Sequence, residues 1–130
     1  MNALSILIAE DDESVRAVLQ GCVATVGHTT TCVSNGREAR EALQKHFDLV
    51  ITDILMPESD GLDVIAYCKQ MQPTTRILAI SGGGRIIDAD DCVKLARGLG
   101  AHGALLKPFS CQDLLAGIAL AMKPQREHWL

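Results

Sequence analysis

Apolar residues along this chain alternate between two periods. Short continuous apolar runs at residues 4–9, 49–52, 77–80 and 102–106 have the length of strands buried on both faces, and between them apolar positions recur every three or four residues. Val15, Val18, Leu19, Cys22, Val23 and Val26 stand at i, i+3, i+4, i+7, i+8 and i+11, an amphipathic helix that Gly27 stops. Residues 29–33 are β-branched enough to form a strand, after which Ser34-Asn35-Gly36 turns into a short helix carrying Ala39, Ala42 and Leu43. Residues 61–71 read as a helix with Val64, Ile65 and Cys68 inward, ended before Pro73. A further helix follows Gly82-Gly83-Gly84, marked by Cys92, Leu95, Ala96 and Leu99, with Gly100 past its end. The last helix starts at Ser110, has Asp113 as its capping-box partner and runs through Leu114, Leu115, Ile118 and Met122. Five strand–helix pairs with short connections predict an α/β, three-layer sandwich: a parallel sheet with helices on both faces.

The strand ends carry the chemistry. Four of the apolar runs finish on Glu10-Asp11, Asp53, Ser81 and Lys107, and in an open parallel sheet the carboxyl ends of the strands share the edge where ligands bind. Taken singly, each residue has an ordinary explanation: acids after strands cap helices, as Asp12 or Glu13 does here, a serine caps a turn, and a lysine is solvated. Their coincidence at four strand ends is what points to a site. A carboxylate accepts a phosphoryl group only if negative charge at the reacting centre is neutralised. Magnesium with carboxylate and water ligands does this, and a lysine and a hydroxyl supply fixed donors for the phosphoryl oxygens.

With 130 residues the chain holds one core. A net charge of −4 opposes sequence-independent nucleic-acid binding, which needs an excess of lysine and arginine, and no apolar run reaches the roughly 20 residues of a membrane span. The expectation is a cytoplasmic protein with no nucleic-acid or membrane partner. Five cysteines, Cys22, Cys32, Cys68, Cys92 and Cys111, are odd in number and lack C-x-x-C spacing. They read as small buried apolar residues rather than as a disulfide framework or a zinc site. His28, His46, His102 and His128 lack ligand spacing and read as structural or exposed.

From residue 4 to residue 122 the chain resembles a response-regulator receiver domain, the phospho-acceptor half of two-component signalling. Glu10-Asp11-Asp12 with Arg16 resembles the acidic cluster after the first strand, and Asn35-Gly36-Arg37-Glu38-Ala39 resembles the start of the second helix. Asp53-Ile54-Leu55-Met56-Pro57-Glu58-Ser59-Asp60-Gly61 is similar to the phosphorylation loop, and Lys107-Pro108-Phe109 to the lysine-proline-phenylalanine turn. The resemblance implies a five-stranded sheet in order 2-1-3-4-5, the flavodoxin-like or CheY-like arrangement, an order for which the chemotaxis regulator is itself a standard example. It implies phosphorylation of Asp53 by a sensor histidine kinase or a histidine phosphotransfer protein. It also implies Mg2+ held by Asp11, Asp53 and the Leu55 carbonyl with Glu10 helping through water, Lys107 pairing with the phosphoryl group, Ser81 moving to hydrogen-bond it, and a cis Lys107-Pro108 bond. On this reading the protein catalyses only its own phosphorylation and dephosphorylation.

Three departures stand out. Ala104 replaces the aromatic whose rotation couples phosphorylation to the output face in many members, so coupling falls to the Ser81 loop and backbone shifts; the single tyrosine, Tyr67, lies on the third helix. The segment between Ser81 and Lys107 is longer than short βα units require, with the surplus at residues 82–87, a recognition loop or a flexible connector. Leu55 and Gly83 offer no group to orient an attacking water, so no built-in acceleration of dephosphorylation is expected. Leu55 also argues against a haloacid-dehalogenase-type phosphohydrolase, which carries a second acid there, and 3% aromatics argue against flavin binding. A degenerate receiver that binds partners unphosphorylated is the alternative, disfavoured by the complete acceptor set. Ala116, Leu120 and Ala121 widen the apolar arc of the last helix, whose inward residues are read as Cys111, Leu114, Leu115, Ile118, Ala119 and Met122. The face of the fourth helix, fifth strand and fifth helix is therefore the expected partner or homodimer surface. Residues 1–124 are read as the receiver domain and 125–130 as a tail too short to be an output domain, hence a stand-alone receiver.

Overall fold

Apolar runs flanked by amphipathic helices satisfy their backbones by pairing side by side and bury both sheet faces under the helices. The computed structural model describes residues 3–56, 61–82 and 89–124, apart from the side chains at 89, 90, 92 and 93. Strands β1 (Ser5–Ala9), β2 (Thr29–Val33), β3 (Leu49–Asp53), β4 (Arg76–Ser81) and β5 (Gly103–Leu106) form one sheet in the order β2-β1-β3-β4-β5. All neighbouring pairs are parallel. The order expected from the resemblance is the order found.

Successive side chains of a strand point to opposite faces, so the sheet divides its apolar residues between two cores. Leu7, Ala9, Val50, Ile77 and Ala79 pack with α2 (Gly36–Ala42), α3 (Gly61–Met71) and α4 (Ala89–Leu99). Ile6, Ile8, Leu49, Ile51, Leu78 and Ile80 pack with α1 (Glu13–Thr25) and α5 (Cys111–Met122). Helix starts are fixed by side-chain caps. Asp12 accepts from the Val15 amide at 3.1 Å, Asn35 from the Glu38 amide at 2.8 Å, and Ser110 and Asp113 exchange both capping-box bonds. Gly27 and Gly100, at φ +96° and +104°, end α1 and α4 in the left-handed conformation that a side chain resists.

Several expectations are corrected. On α1 only Leu19, Cys22 and Val23 are buried, while Val18 and Val26 are half exposed, because α5 covers a narrower stripe than the apolar spacing suggests. On α5 Ala121 is fully buried rather than part of the outer arc, and Cys111 is exposed rather than inward. Cys22 and Cys111 form a disulfide with their Cα atoms 5.6 Å apart, against the reading of all the cysteines as free apolar residues. A pair 89 residues apart in sequence leaves no spacing signal; only the packing of α1 on α5 brings it together. Cys68 is buried and Cys32 partly buried, both free. His28 and His102 accept the Leu4 and Ile77 amides through Nδ1, each at 3.0 Å, and are structural as expected. The expectations for residues 57–60, for 83–87 of the long segment and for the tail at 125–130 lie outside the described residues.

Candidate functional site

Register sets the site. Ala9 pairs with Thr52, Asp53 with Ile80, and Ser81 with Leu106, so Glu10, Asp53, Ser81 and Lys107 emerge at neighbouring levels of the carboxyl edge. The Lys107 amide donates to the Ser81 carbonyl at 2.8 Å, and the Ile54 amide to the Ile80 carbonyl at 2.9 Å, holding the outgoing chain against β4. The Lys107-Pro108 bond is cis.

Asp53 is nearly buried, and its two carboxylate oxygens have different partners. Oδ1 accepts the Leu55 amide at 3.0 Å; Oδ2 accepts the Lys107 ammonium at 2.9 Å. The same ammonium lies 3.2 Å from Glu10 Oε1. One oxygen each from Glu10, Asp11 and Asp53 fall within 4.8 Å of one another, Asp11 on the solvent side. Glu10 is fully buried; its Oε2 accepts the Asp12 amide at 3.1 Å, and its carbonyl accepts Arg16 Nη1 at 2.8 Å. Ser81 is buried at the end of β4.

Crowding of negative charge shows in the proton affinities. Burial, joined by the charge of Asp53, pushes the Glu10 carboxyl up to about 7 against the opposing pull of the Asp12 amide and Lys107. Burial pulls the Lys107 ammonium down, but its hydrogen bond to Asp53 and the charges of Asp53 and Glu10 outweigh this and raise it. Glu10 Oε1 is buried and is met only by the Lys107 ammonium, with no further hydrogen-bond partner among the described residues. An all-oxygen donor set of three carboxylates, with a single ammonium against them, carries excess negative charge and fits a hard divalent cation such as Mg2+.

The sequence-predicted residues Glu10, Asp11, Asp53, Ser81, Lys107 and Leu55 thus converge on one edge. Gly61, the last residue of the loop quoted from the sequence, has a packing role there that the sequence reading did not assign. Gly61 opens α3 with its amide 2.7 Å from the Ile54 carbonyl, and a Cβ there would overlap the Asp53 carbonyl. Its signal was a glycine at a helix start, where a capping residue is commoner. No helix among the described residues is long and apolar enough to cross a membrane.

Comparison with known proteins agrees with this geometry. The profile of the response regulator receiver domain matches residues 6–119. The chain is 34% identical over 113 residues to the response regulator receiver protein CpdR of Brucella abortus, covering 85% of this chain and 89% of that protein. It is 36% identical over 123 residues to the DNA-binding transcriptional regulator NtrC of Azospirillum brasilense, covering 94% of this chain but only about a quarter (25%) of that protein's length. Among solved structures, the receiver domain of NtrX from Brucella abortus superposes with a TM-score of 0.82 at 27% identity, covering 92% of this chain and 99% of that domain. The chemotaxis response regulator CheY4 of Vibrio cholerae gives 0.80 at 25% identity, covering 91% and 98%. With the profile spanning most of its length and these relatives matching its whole fold, the chain belongs to the response regulator receiver domain family of two-component signalling.

Proposed function

We propose that Asp53 accepts a phosphoryl group from a sensor histidine kinase or a histidine phosphotransfer protein, in the cytoplasm, and that the resulting aspartyl phosphate changes partner affinity on the α4-β5-α5 face. The observation that carries this reading is the Lys107 ammonium at 2.9 Å from Asp53 Oδ2, beside a three-carboxylate cluster. In the transfer a carboxylate oxygen of Asp53 forms a bond to phosphorus as the bond from phosphorus to the donor imidazole nitrogen breaks, and the imidazole leaves. Glu10, Asp11, Asp53 and the Leu55 carbonyl would hold Mg2+, which neutralises charge on the phosphoryl oxygens. Lys107 releases Asp53 to pair with the incoming group, and the Ser81 hydroxyl turns to donate to it. The Leu55 amide orients the acceptor carboxylate throughout. In this reading the domain catalyses only its own phosphorylation and dephosphorylation, and residues 1–124 act as one receiver unit.

Incubation with acetyl phosphate or a beryllofluoride salt plus magnesium tests the proposal. The unaltered protein is expected to be modified, and Asp53→Asn to remain unmodified. Equal modification of both proteins would move the acceptor elsewhere, and no modification of either would favour the unphosphorylated binding module.

A further inference from the structure

The Cys22–Cys111 pair is not used by any step above. It joins α1 to the first turn of α5, and Cys111 follows Lys107 by only four residues. Val15 and Val18, which precede Cys22 on α1, line a cavity of about 470 Å³ together with Lys107, Pro108 and Phe109. On the other side of Cys22, Val26 and His28 line a second cavity of about 320 Å³ with Leu115 and Ile118. The bond therefore fastens the seam between α1 and α5 where the seam is open on either side, next to the turn that holds the site lysine.

We propose that Cys22 and Cys111 are a reversible thiol–disulfide switch that restrains the Lys107 turn when closed and releases it when open, and so sets the rate at which Asp53 is phosphorylated. The inference rests on the phospho-acceptor reading. The two residues differ in burial: Cys111 is exposed and Cys22 is 6% exposed, so an external thiol approaches the bond from the Cys111 side. Cys111 is the first residue of α5 after the Ser110 cap. The free cysteines described elsewhere are poorer nucleophiles. Burial pushes the Cys68 thiol up to about 11 and raises that of Cys32.

Closure needs an oxidant, and a low-molecular-weight disulfide supplies it. The Cys111 thiolate attacks one sulfur of that disulfide and expels a small thiolate. The Cys22 thiolate then attacks the Cys111 sulfur of the mixed disulfide and expels the second. The two cysteines lose two electrons and two protons, and the small disulfide leaves as two thiols. Opening is the reverse, begun by a small thiolate at Cys111. When the pair is closed, the Lys107-Pro108-Phe109 turn is tethered through α5 to α1. Lys107 must move off Asp53 Oδ2 to admit a phosphoryl group, and the tether resists that movement.

The unaltered 130-residue chain, Cys111→Ser and Cys22→Ser are equilibrated in glutathione buffers of graded ratio. Thiols are counted by alkylation and mass analysis, and phosphorylation by acetyl phosphate with magnesium is timed for each state. The expected result is a Cys22–Cys111 bond that opens and closes across the buffer series, with the closed form phosphorylated about fivefold more slowly than the open form. Both serine variants are expected to run at the open-form rate in every buffer; Cys111→Ser alters an exposed position and serves if Cys22→Ser fails to fold. A bond that survives about 10 mM reduced glutathione, or that never closes in excess oxidised glutathione, overturns the switch. Equal rates for the open and closed forms overturn it as well. A pair that cycles while neither form accepts phosphate defeats the phospho-acceptor reading and the regulation with it, and the thiol count separates that outcome from the others.

Discussion

Glu10 shows most directly what the site costs the fold. Its carboxyl, ordinarily near 4.5, rises to about 7 in the folded, metal-free domain through burial and the charge of Asp53. Between those values the folded state keeps a proton that the unfolded chain has released, so folding is penalised progressively as pH rises through this window. The full penalty, on the order of 3 kcal/mol, applies above it. Asp12 and Glu38 shift the other way through hydrogen bonds to backbone amides of Val15 and Ser34, so their contributions are gained at more acid pH and do not mask the effect. Urea unfolding in the presence of a chelator is therefore expected to show the midpoint falling as pH is raised from about 5 to about 8. Glu10→Gln is expected to flatten the profile, and added magnesium to restore stability at the alkaline end. A profile that Glu10→Gln leaves unchanged would remove Glu10 as its source.

Gly61 joins an element to the site. Helix propensity alone makes Gly→Ala in a helix favourable by about 1 kcal/mol. Here the added Cβ would meet the backbone of Asp53 and Ile54, which cannot swing aside as a flexible side chain would. The overlap outweighs the propensity gain, so Gly61→Ala is expected to lower stability by about 1–3 kcal/mol and to slow phosphorylation at Asp53. An unfolding midpoint above that of the unaltered protein would show that α3 can shift freely.

The same elements show what the sequence discloses. Strands buried on both faces leave continuous apolar runs, and caps such as Ser110 with Asp113 leave a local signature, so both were legible. The site residues were legible because each ends a strand or lies within two residues of a strand end. Contacts that depend on how elements meet were not. The exposure of Val18, the burial of Ala121 and the Cys22–Cys111 bond follow from how α5 crosses α1 and the sheet. Arg76, on β4, likewise donates to the Ala121 carbonyl at 2.6 Å and to that of Lys123, satisfying the end of α5 from 45 residues away. Its neighbours in sequence give no hint of that partner.

For the molecule as a whole the question is where a change at the carboxyl edge is read. Leu95 and Leu99 of α4, Leu106 of β5 and Leu120 of α5 are large apolar side chains 44%, 38%, 44% and 45% exposed, and Ala116 is exposed beside them in sequence. β5 is one of the two edge strands, so these side chains belong to an edge of the sheet that no further strand covers. Leu106 immediately precedes Lys107, which ties this face to the site through a single peptide bond. Ala104, paired with Ala79, provides no aromatic rotor, and in the function proposed above this leaves the backbone at Ser81 and Lys107 to carry the signal. Leu120→Glu places a charge on this face while leaving the α5 residues that pack inward, Leu114, Ile118 and Ala121, untouched. It is expected to weaken self-association or partner binding by about tenfold or more, because a carboxylate cannot be desolvated there without a partner. Phosphorylation of Asp53 by acetyl phosphate is expected to proceed at the unaltered rate. Sedimentation equilibrium of the beryllofluoride-treated protein measures the first quantity for self-association, and titration with a phosphotransfer protein measures it for a partner. If Leu120→Glu leaves both affinities unchanged, the readout lies on another face; if it also stops phosphorylation, Leu120 supports the fold around the site rather than the surface that reports on it.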